Sequence, residues 1–231
     1  MQAAEQQIAE HTAQAENWNL EEALRWGLSR FGTAMSIASS FGAEDVVLID
    51  MASRLGEKFR VFTLDTDFLF PETYALIETV ERRYGITVER SHSEFTPEAQ
   101  AVHFGEALWA SNPDKCCQLR KVEPLKKMLA GLQAWVTGVR RDQAPTRANT
   151  RKLEWDSKFG LVKINPLADW KSEQVWDYIR ANSVPYNALH DRNYPSIGCT
   201  YCTRAVLPGE DPRAGRWSGQ NKIECGLHIK Q

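Results

Sequence analysis

Apolar positions at helical spacing mark the first element: Leu20, Leu24 and Leu28 fall on one face of "NLEEALRWGLSRFG", with Asn19 placed to cap its start and Gly32 its end. "TAMSIASS" then predicts a short buried strand, and "FGAED" leads into an apolar helix through Val46, Val47, Met51 and Leu55. The strand "FRVFTL" follows, then the loop "DTDFLF" and the helix "PETYALIETVERRYG". Its Pro71 suits a first helical position and its Gly85 the residue just past the end. "ITVER" predicts another strand and "AWVTGV" a later one, beyond a helix that carries two cysteines. "LVKINPL" is the last strand, before the helix "KSEQVWDYIRAN".

Strands alternating with helices predict an α/β fold, a mostly parallel sheet with helices on both faces. Ligands of such sheets sit beyond the carboxyl ends of the strands. Three polar loops leave those ends, "SSFGAED", "DTDFLFPE" and "GVRRDQAPTR", and the site is expected among them. After Asn193 the chain turns rich in Gly, Pro and charge, with little periodicity. The expectation is one α/β domain over residues 1–207, then an irregular, mobile segment over 208–231 that carries the last cysteine.

A chain of 231 residues is long enough for one substantial core. Its net charge of −2 argues against a nucleic-acid partner. Cations nevertheless gather in "KCCQLRKVEPLKK", "GVRRDQAPTRANTRK" and "DPRAGRW". Each alone reads as solvated surface, whereas three beside turns and cysteines favour a small anionic ligand. No apolar run approaches about 18 residues, and the polar N-terminus lacks a basic start followed by an apolar stretch. Neither a membrane span nor a signal peptide is expected, which places the chain in the reducing cytoplasm. Five cysteines, an odd number, point to metal binding or catalysis rather than a disulfide framework.

Cys116 and Cys117 are adjacent, and adjacent cysteines rarely bond to each other because the short loop strains the disulfide. Cys199 and Cys202 form C-x-x-C in "GCTYC". Structural zinc takes a spaced pair on each side, whereas the four iron corners of a [4Fe–4S] cube can be served by neighbouring thiolates. Spacing ranks the cluster modestly above zinc and leaves open a redox-active C-x-x-C beside two unrelated core thiols. Cys225, in "IECGLH", is surplus to a four-ligand site; Lys222 and His228 beside it would raise its thiolate fraction, while an incidental tail thiol is the plainer account. "SSFGAED" opens a helix after a strand, where backbone N–H groups cradle anions, although an ordinary turn explains it as well. It lacks G-x-x-x-x-G-K-[ST], which excludes a Walker loop. Arg140, Arg141 and Arg147 offer planar forks to sulfate or phosphate oxygens.

Taken in order, "SSFGAED", "LDT" with "FPETY", "CCQLRKVEPL", "TGVRRDQAPTR", "VKINPLADW", "GCTYCTR" and "ECGLH" resemble the assimilatory sulfonucleotide reductases, specifically the thioredoxin-dependent adenylylsulfate (APS) reductases. The match covers residues 36–228 or thereabouts. It implies an adenine-nucleotide α-hydrolase-like fold and a [4Fe–4S] cluster on Cys116, Cys117, Cys199 and Cys202. It implies that Cys225 attacks the sulfate sulfur of APS, expels AMP and becomes S-sulfonated. Reduced thioredoxin, or a glutaredoxin-like donor, then releases sulfite for cysteine biosynthesis. The substrate contacts it implies are Ser39, Ser40, Gly42, Leu64, Lys121, Arg140, Arg213 and Arg216, with Lys121 between cluster and substrate. Homo-oligomers are common among such enzymes. One departure stands out: the family commonly reads L-D-T-G, and Asp67 here replaces the glycine, putting a negative charge near the expected sulfate.

Three other functions compete. A PAPS reductase shares the nucleophile, but that branch generally lacks the two cysteine pairs. An ATP pyrophosphatase-type transferase on the same fold carries S-G-G-x-D-S after the first strand, which this chain does not. A noncatalytic zinc or RNA-binding module leaves Cys225 unexplained.

Overall fold

The computed structural model describes residues 2–220, 222 and 224–227. Helix α1 (Gln2–Ala15) comes first, too poor in apolar positions to be predicted from sequence. Helix α2 (Leu20–Phe31) starts in a capping box: the Asn19 side chain accepts from the Glu22 amide at 2.9 Å, and the Glu22 carboxylate accepts from the Asn19 amide at 2.7 Å. Leu20, Leu24 and Leu28 form its buried face, and Gly32 ends it with φ 50°.

Strand and helix then alternate through β1 (Met35–Ala38), α3 (Ala43–Arg54), β2 (Val61–Asp65), α4 (Pro71–Tyr84) and β3 (Val88–His92). Short helices α5 (Pro97–Phe104), α6 (Leu108–Ser111) and α7 (Pro113–Cys117) lead through a π-turn at Gln118–Val122 into α8 (Glu123–Leu129). Strands β4 (Ala134–Val136), β5 (Leu153–Asp156) and β6 (Leu161–Ile164) follow, then α9 (Ser172–Asn182). As expected, Pro71 opens α4 and Gly85 closes it in the left-handed region.

The strands form one sheet in the order β3-β2-β1-β4-β6-β5. All neighbours run parallel except β5, which the sequence reading passed over and which pairs antiparallel with β6 at the edge. Helix α1 packs against that edge strand. Alternation along the strands sends side chains to two cores. Val61, Ala134, Val136 and Val162 join α2, α3, α4 and α9, whereas Phe62, Trp135 and Leu161 meet Leu125 and Leu129 of α8. Both faces are therefore covered, as the alternating pattern predicts. Among the described residues no helix is long and apolar enough to cross a membrane.

From β1 the chain winds outward to β2 and β3, then returns across β1 to β4. The loops after β1 and β4 thus diverge at a topological switch point, where doubly wound sheets form a crevice. The irregular C-terminal stretch closes over it. Leu69 bridges to Cys199 and Thr203 to Arg216. The amides of Arg204 and Trp217 donate to the carbonyls of Gly215 and Cys202, each at 3.0 Å.

Candidate active site

A cavity of about 800 Å³ occupies the switch point. Ser39, Ser40, Gly42, Leu64, Lys121, Arg140, Arg213, Arg216 and Cys225 all line it, so the structure brings together every substrate residue implied by the sequence and the proposed nucleophile. The turn after β1 is tightly made. Phe41 is left-handed, with φ 59°, and buried; its amide donates to Ser39 Oγ at 3.1 Å. The Ser40 amide and hydroxyl both donate to Asp45 Oδ2, at 2.6 and 2.8 Å. Asp45 thus holds the loop's shape, and the Ser40 amide is not left open as an anion cradle. Burial, and then the neighbouring Glu44 charge, push the Asp45 carboxyl up to about 6 against those hydrogen bonds. Across the crevice, a Cβ on Gly138 would stand 2.5 Å from Asp45 Oδ1 and 2.7 Å from Glu44 Cβ. Only glycine lets the loop after β4 lie this close to α3. Arg140, on that loop, donates to Glu44 Oε1 at 2.9 Å and pairs with Asp142.

Cys116, Cys117, Cys199 and Cys202 line a second, narrow cavity together with Phe68, Trp109 and Arg120. Lys121 lines both cavities. The π-turn that carries it is a rare, wide helical turn of a kind frequent at functional sites. Burial, then the neighbouring thiols, push Cys116 up to about 12 and Cys202 up to about 11. Burial works against charge on Lys121, but the sulfurs of Cys199, Cys225 and Cys117 outweigh it and hold the ammonium above its usual pKa. Cys199 Sγ lies 3.2 Å from Thr66 Oγ1. No three of the cysteine sulfurs lie within 4.8 Å of one another; among the described residues that spacing is met by Asp65, Asp67 and His92.

Asp67, whose effect on the loop the sequence left open, faces the cysteine side of the molecule. Its φ of 59° lies in the left-handed region that favours glycine. Its carboxylate turns away from the larger cavity to Arg120, 2.7 Å away, and His92, 3.4 Å away. Arg120 is itself enclosed, donating also to Gln100 Oε1 at 2.7 Å and the Thr66 carbonyl at 3.0 Å, with its guanidinium 4.4 Å from the Phe68 ring centre. The extra negative charge therefore neutralises a buried cation on the cysteine side. Arg141 also departs from expectation: it pairs with Glu16 and donates to the Thr150 carbonyl at 2.7 Å, outside the cavity.

The C-terminal stretch meets the body at several points. Lys222 pairs with Asp114 on the cysteine helix rather than standing beside Cys225 alone. The Gly226 carbonyl accepts from Lys158 Nζ at 2.6 Å. Glu224 binds Arg147. His228 lies outside the described residues. Arg216 donates to Ser196 Oγ and the Ile197 carbonyl, each at 3.2 Å, and its buried Nε has no hydrogen-bond partner. Among the described residues, neither Lys121 nor Arg216 forms an ion pair with a carboxylate. The sequence reading gave no role to Asp45 or Glu224. For Asp45 the signal was an acidic residue five positions after Ser40, close enough to reach back to it.

Residues 34–205 match the phosphoadenosine phosphosulfate reductase domain. The chain belongs to that reductase family. Within it, the chain is 50% identical over 206 residues to the adenosine 5'-phosphosulfate reductase of Shouchella clausii (strain KSM-K16), covering 89% of this chain and 86% of that one. It is 51% identical over 208 residues to the enzyme of the same name from Halalkalibacterium halodurans, covering 90% of each. A solved phosphoadenylyl-sulfate (PAPS) reductase from Candida auris, in complex with phosphate, superposes with a TM-score of 0.76 at 32% identity, over 86% of this chain and 96% of that one. The FMN adenylyltransferase of Candida glabrata superposes with a TM-score of 0.57 at 17% identity, over 84% of this chain and 64% of that one. That likeness shows that the two share a fold.

Proposed function

We propose that the chain reduces adenosine 5'-phosphosulfate to sulfite and AMP, through an S-sulfonated Cys225 and with thioredoxin as electron donor. The observation that carries this is Cys225 sharing one cavity with Lys121 and Arg216, two cations that no described carboxylate neutralises. A phosphosulfate brings the missing charge, and the relatives at about half identity bear the name of that activity. The Cys225 thiolate attacks the sulfate sulfur; the S–O bond to the phosphate breaks and AMP leaves with the electron pair. Lys121 and the arginines stabilise the charge growing on that phosphate. A thioredoxin thiolate then attacks Cys225 Sγ and expels sulfite, and the second thioredoxin thiol resolves the mixed disulfide, so the dithiol supplies both electrons. A protein thiolate is too bulky for the cavity, so the segment from about Pro208 opens between the two steps. The cytoplasm, where such thiols stay reduced, is the matching compartment.

Cys116, Cys117, Cys199 and Cys202 would hold the [4Fe–4S] cluster. Four cysteines around one narrow cavity, two of them adjacent in the chain, fit the four separate iron corners of such a cluster better than the spaced pairs that structural zinc takes. Burial raises the Cys116, Cys117 and Cys202 thiols above their usual range, so a metal would have to take the place of their protons. When bound, the cluster supplies a fixed charge beside Lys121.

PAPS is the second substrate to consider, because the solved Candida auris relative is named for it. Incubation with APS and no reductant should leave sulfite on Cys225, read as a mass increase of the C-terminal peptide, with PAPS giving far less. An adduct on another cysteine would overturn the mechanism, and equal labelling by PAPS would overturn the substrate.

A further inference from the structure

We infer that Glu224 is a positioning residue for Cys225, clasped from the loop after β4 by Arg147; this rests on the reading of Cys225 as the reacting thiol. Arg147 ends a short turn, Pro145–Arg147, and its fork meets both oxygens of Glu224. Nε donates to Oε1 and Nη2 to Oε2, each at 2.9 Å. Its third nitrogen, Nη1, donates to Gln143 Oε1 at 2.6 Å, and the same oxygen accepts from the Arg140 amide at 3.0 Å. Thr146 Oγ1 adds a bond to Oε1 at 3.3 Å, and Arg213 Nη2 lies 3.4 Å from Oε2. The Glu224 carboxylate is only 5% exposed. Burial alone would raise its pKa, but Arg147 and Arg213 outweigh that and hold it ionised.

All three nitrogens of Arg147 are therefore engaged by protein oxygens, although its sequence context marked it as a reader of substrate oxygens. A two-point fork fixes angle as well as distance. It acts on the residue directly before the thiol, so it limits how the Cys225 backbone can turn. The neighbouring anchors are weaker in kind: the Asp114 end of the Lys222 pair is 84% exposed, and Gly226 is held, among the described residues, by a single bond. Arg213 belongs to the same segment as the thiol and faces both Glu224 and the cavity, which ties the clasp to the cations of the site.

The test is alkylation of Cys225 by iodoacetamide in the full-length anaerobic protein without nucleotide, followed by peptide mass. Because no substrate is present, its outcome does not depend on which sulfonucleotide is reduced. Glu224→Gln and Arg147→Gln should each speed alkylation at least about 10-fold, and the double variant should be no faster than either single one, since partners in one pair are not additive. In turnover assays both should lower kcat more than they raise KM, with Glu224→Asp recovering part of the loss. Thermal melts identify any variant that fails to fold, and Glu224→Asp then carries the comparison. Unchanged alkylation in Glu224→Gln would overturn the clasp. So would an Arg147→Gln variant that only raises KM, because Arg147 would then be reading the substrate.

Discussion

Replacing Asp67 by glycine should destabilise this chain even though it removes a strained backbone angle. At 2.7 Å the Arg120–Asp67 attraction is about 6 kcal/mol at an effective dielectric constant of about 20. That figure is an upper bound, because Asp67 is 31% exposed while Arg120 is 1% exposed. Removing one partner of a buried pair costs about 3–5 kcal/mol, and solvent screening at Asp67 brings this to about 2–3 kcal/mol. Relief of the left-handed angle returns about 1 kcal/mol, and the greater freedom of glycine in the unfolded chain takes back about 0.5–1 kcal/mol. The net loss is about 2 kcal/mol, which for a chain of this length lowers Tm by about 4–8 °C. Thermal and urea denaturation of the parent, Asp67→Gly and Asp67→Asn, under one anaerobic condition, measures it. Asparagine tolerates the backbone angle and removes only the charge, so it should lose nearly as much stability. Asp67→Gly matching or exceeding the parent would refute the reasoning, and so would a neutral Asp67→Asn.

Lys121→Ala should lower kcat about 10²–10³-fold, as loss of one preorganised charge at a reacting oxygen does, with iron content unchanged; loss of iron would make Lys121 structural. Anaerobic protein should carry about four irons and four sulfides per chain, and serine at any one of Cys116, Cys117, Cys199 or Cys202 should remove both iron and activity. Fully active protein with one zinc would refute the cluster. Asp45 binds its proton more tightly when folded, so the stability it lends is complete below its ordinary 3.8 and is lost as pH rises through about 6. Denaturation of Asp45→Asn across pH 4 to 7 should show a flatter curve than the parent.

Much of the fold was legible because it rests on local rules. Asn19 and Glu22 cap α2, Pro71 and Gly85 bound α4, and the alternating apolar runs mark the parallel strands. Strand β5 was not, since Glu154 and Asp156 interrupt its apolar pattern and its place depends on pairing with β6 and on α1. The residues implied by the resemblance gather in one cavity, but their pairings were not legible. Nothing in "GVRRDQAPTR" tells that Arg141 reaches Glu16 while Arg147 reaches Glu224, 77 residues onward. The direction of Asp67 is equally non-local, because it is decided by a guanidinium 53 residues away.

Lys121 and Arg216, which no described carboxylate pairs, each lie against a cysteine-bearing segment. Lys121 follows Cys117 by four residues on the π-turn. Arg216 bonds to Ser196 and Ile197 and fills the space beside Gly198, where a Cβ would strike its guanidinium; Cys199 comes next in the chain. Neither footing is made by a sulfur: one is the helical turn that follows Cys117, the other the backbone just before Cys199. The two thiol-bearing segments are thus also the footing of two cavity cations, so a change in backbone at either segment would move a charge as well as a sulfur.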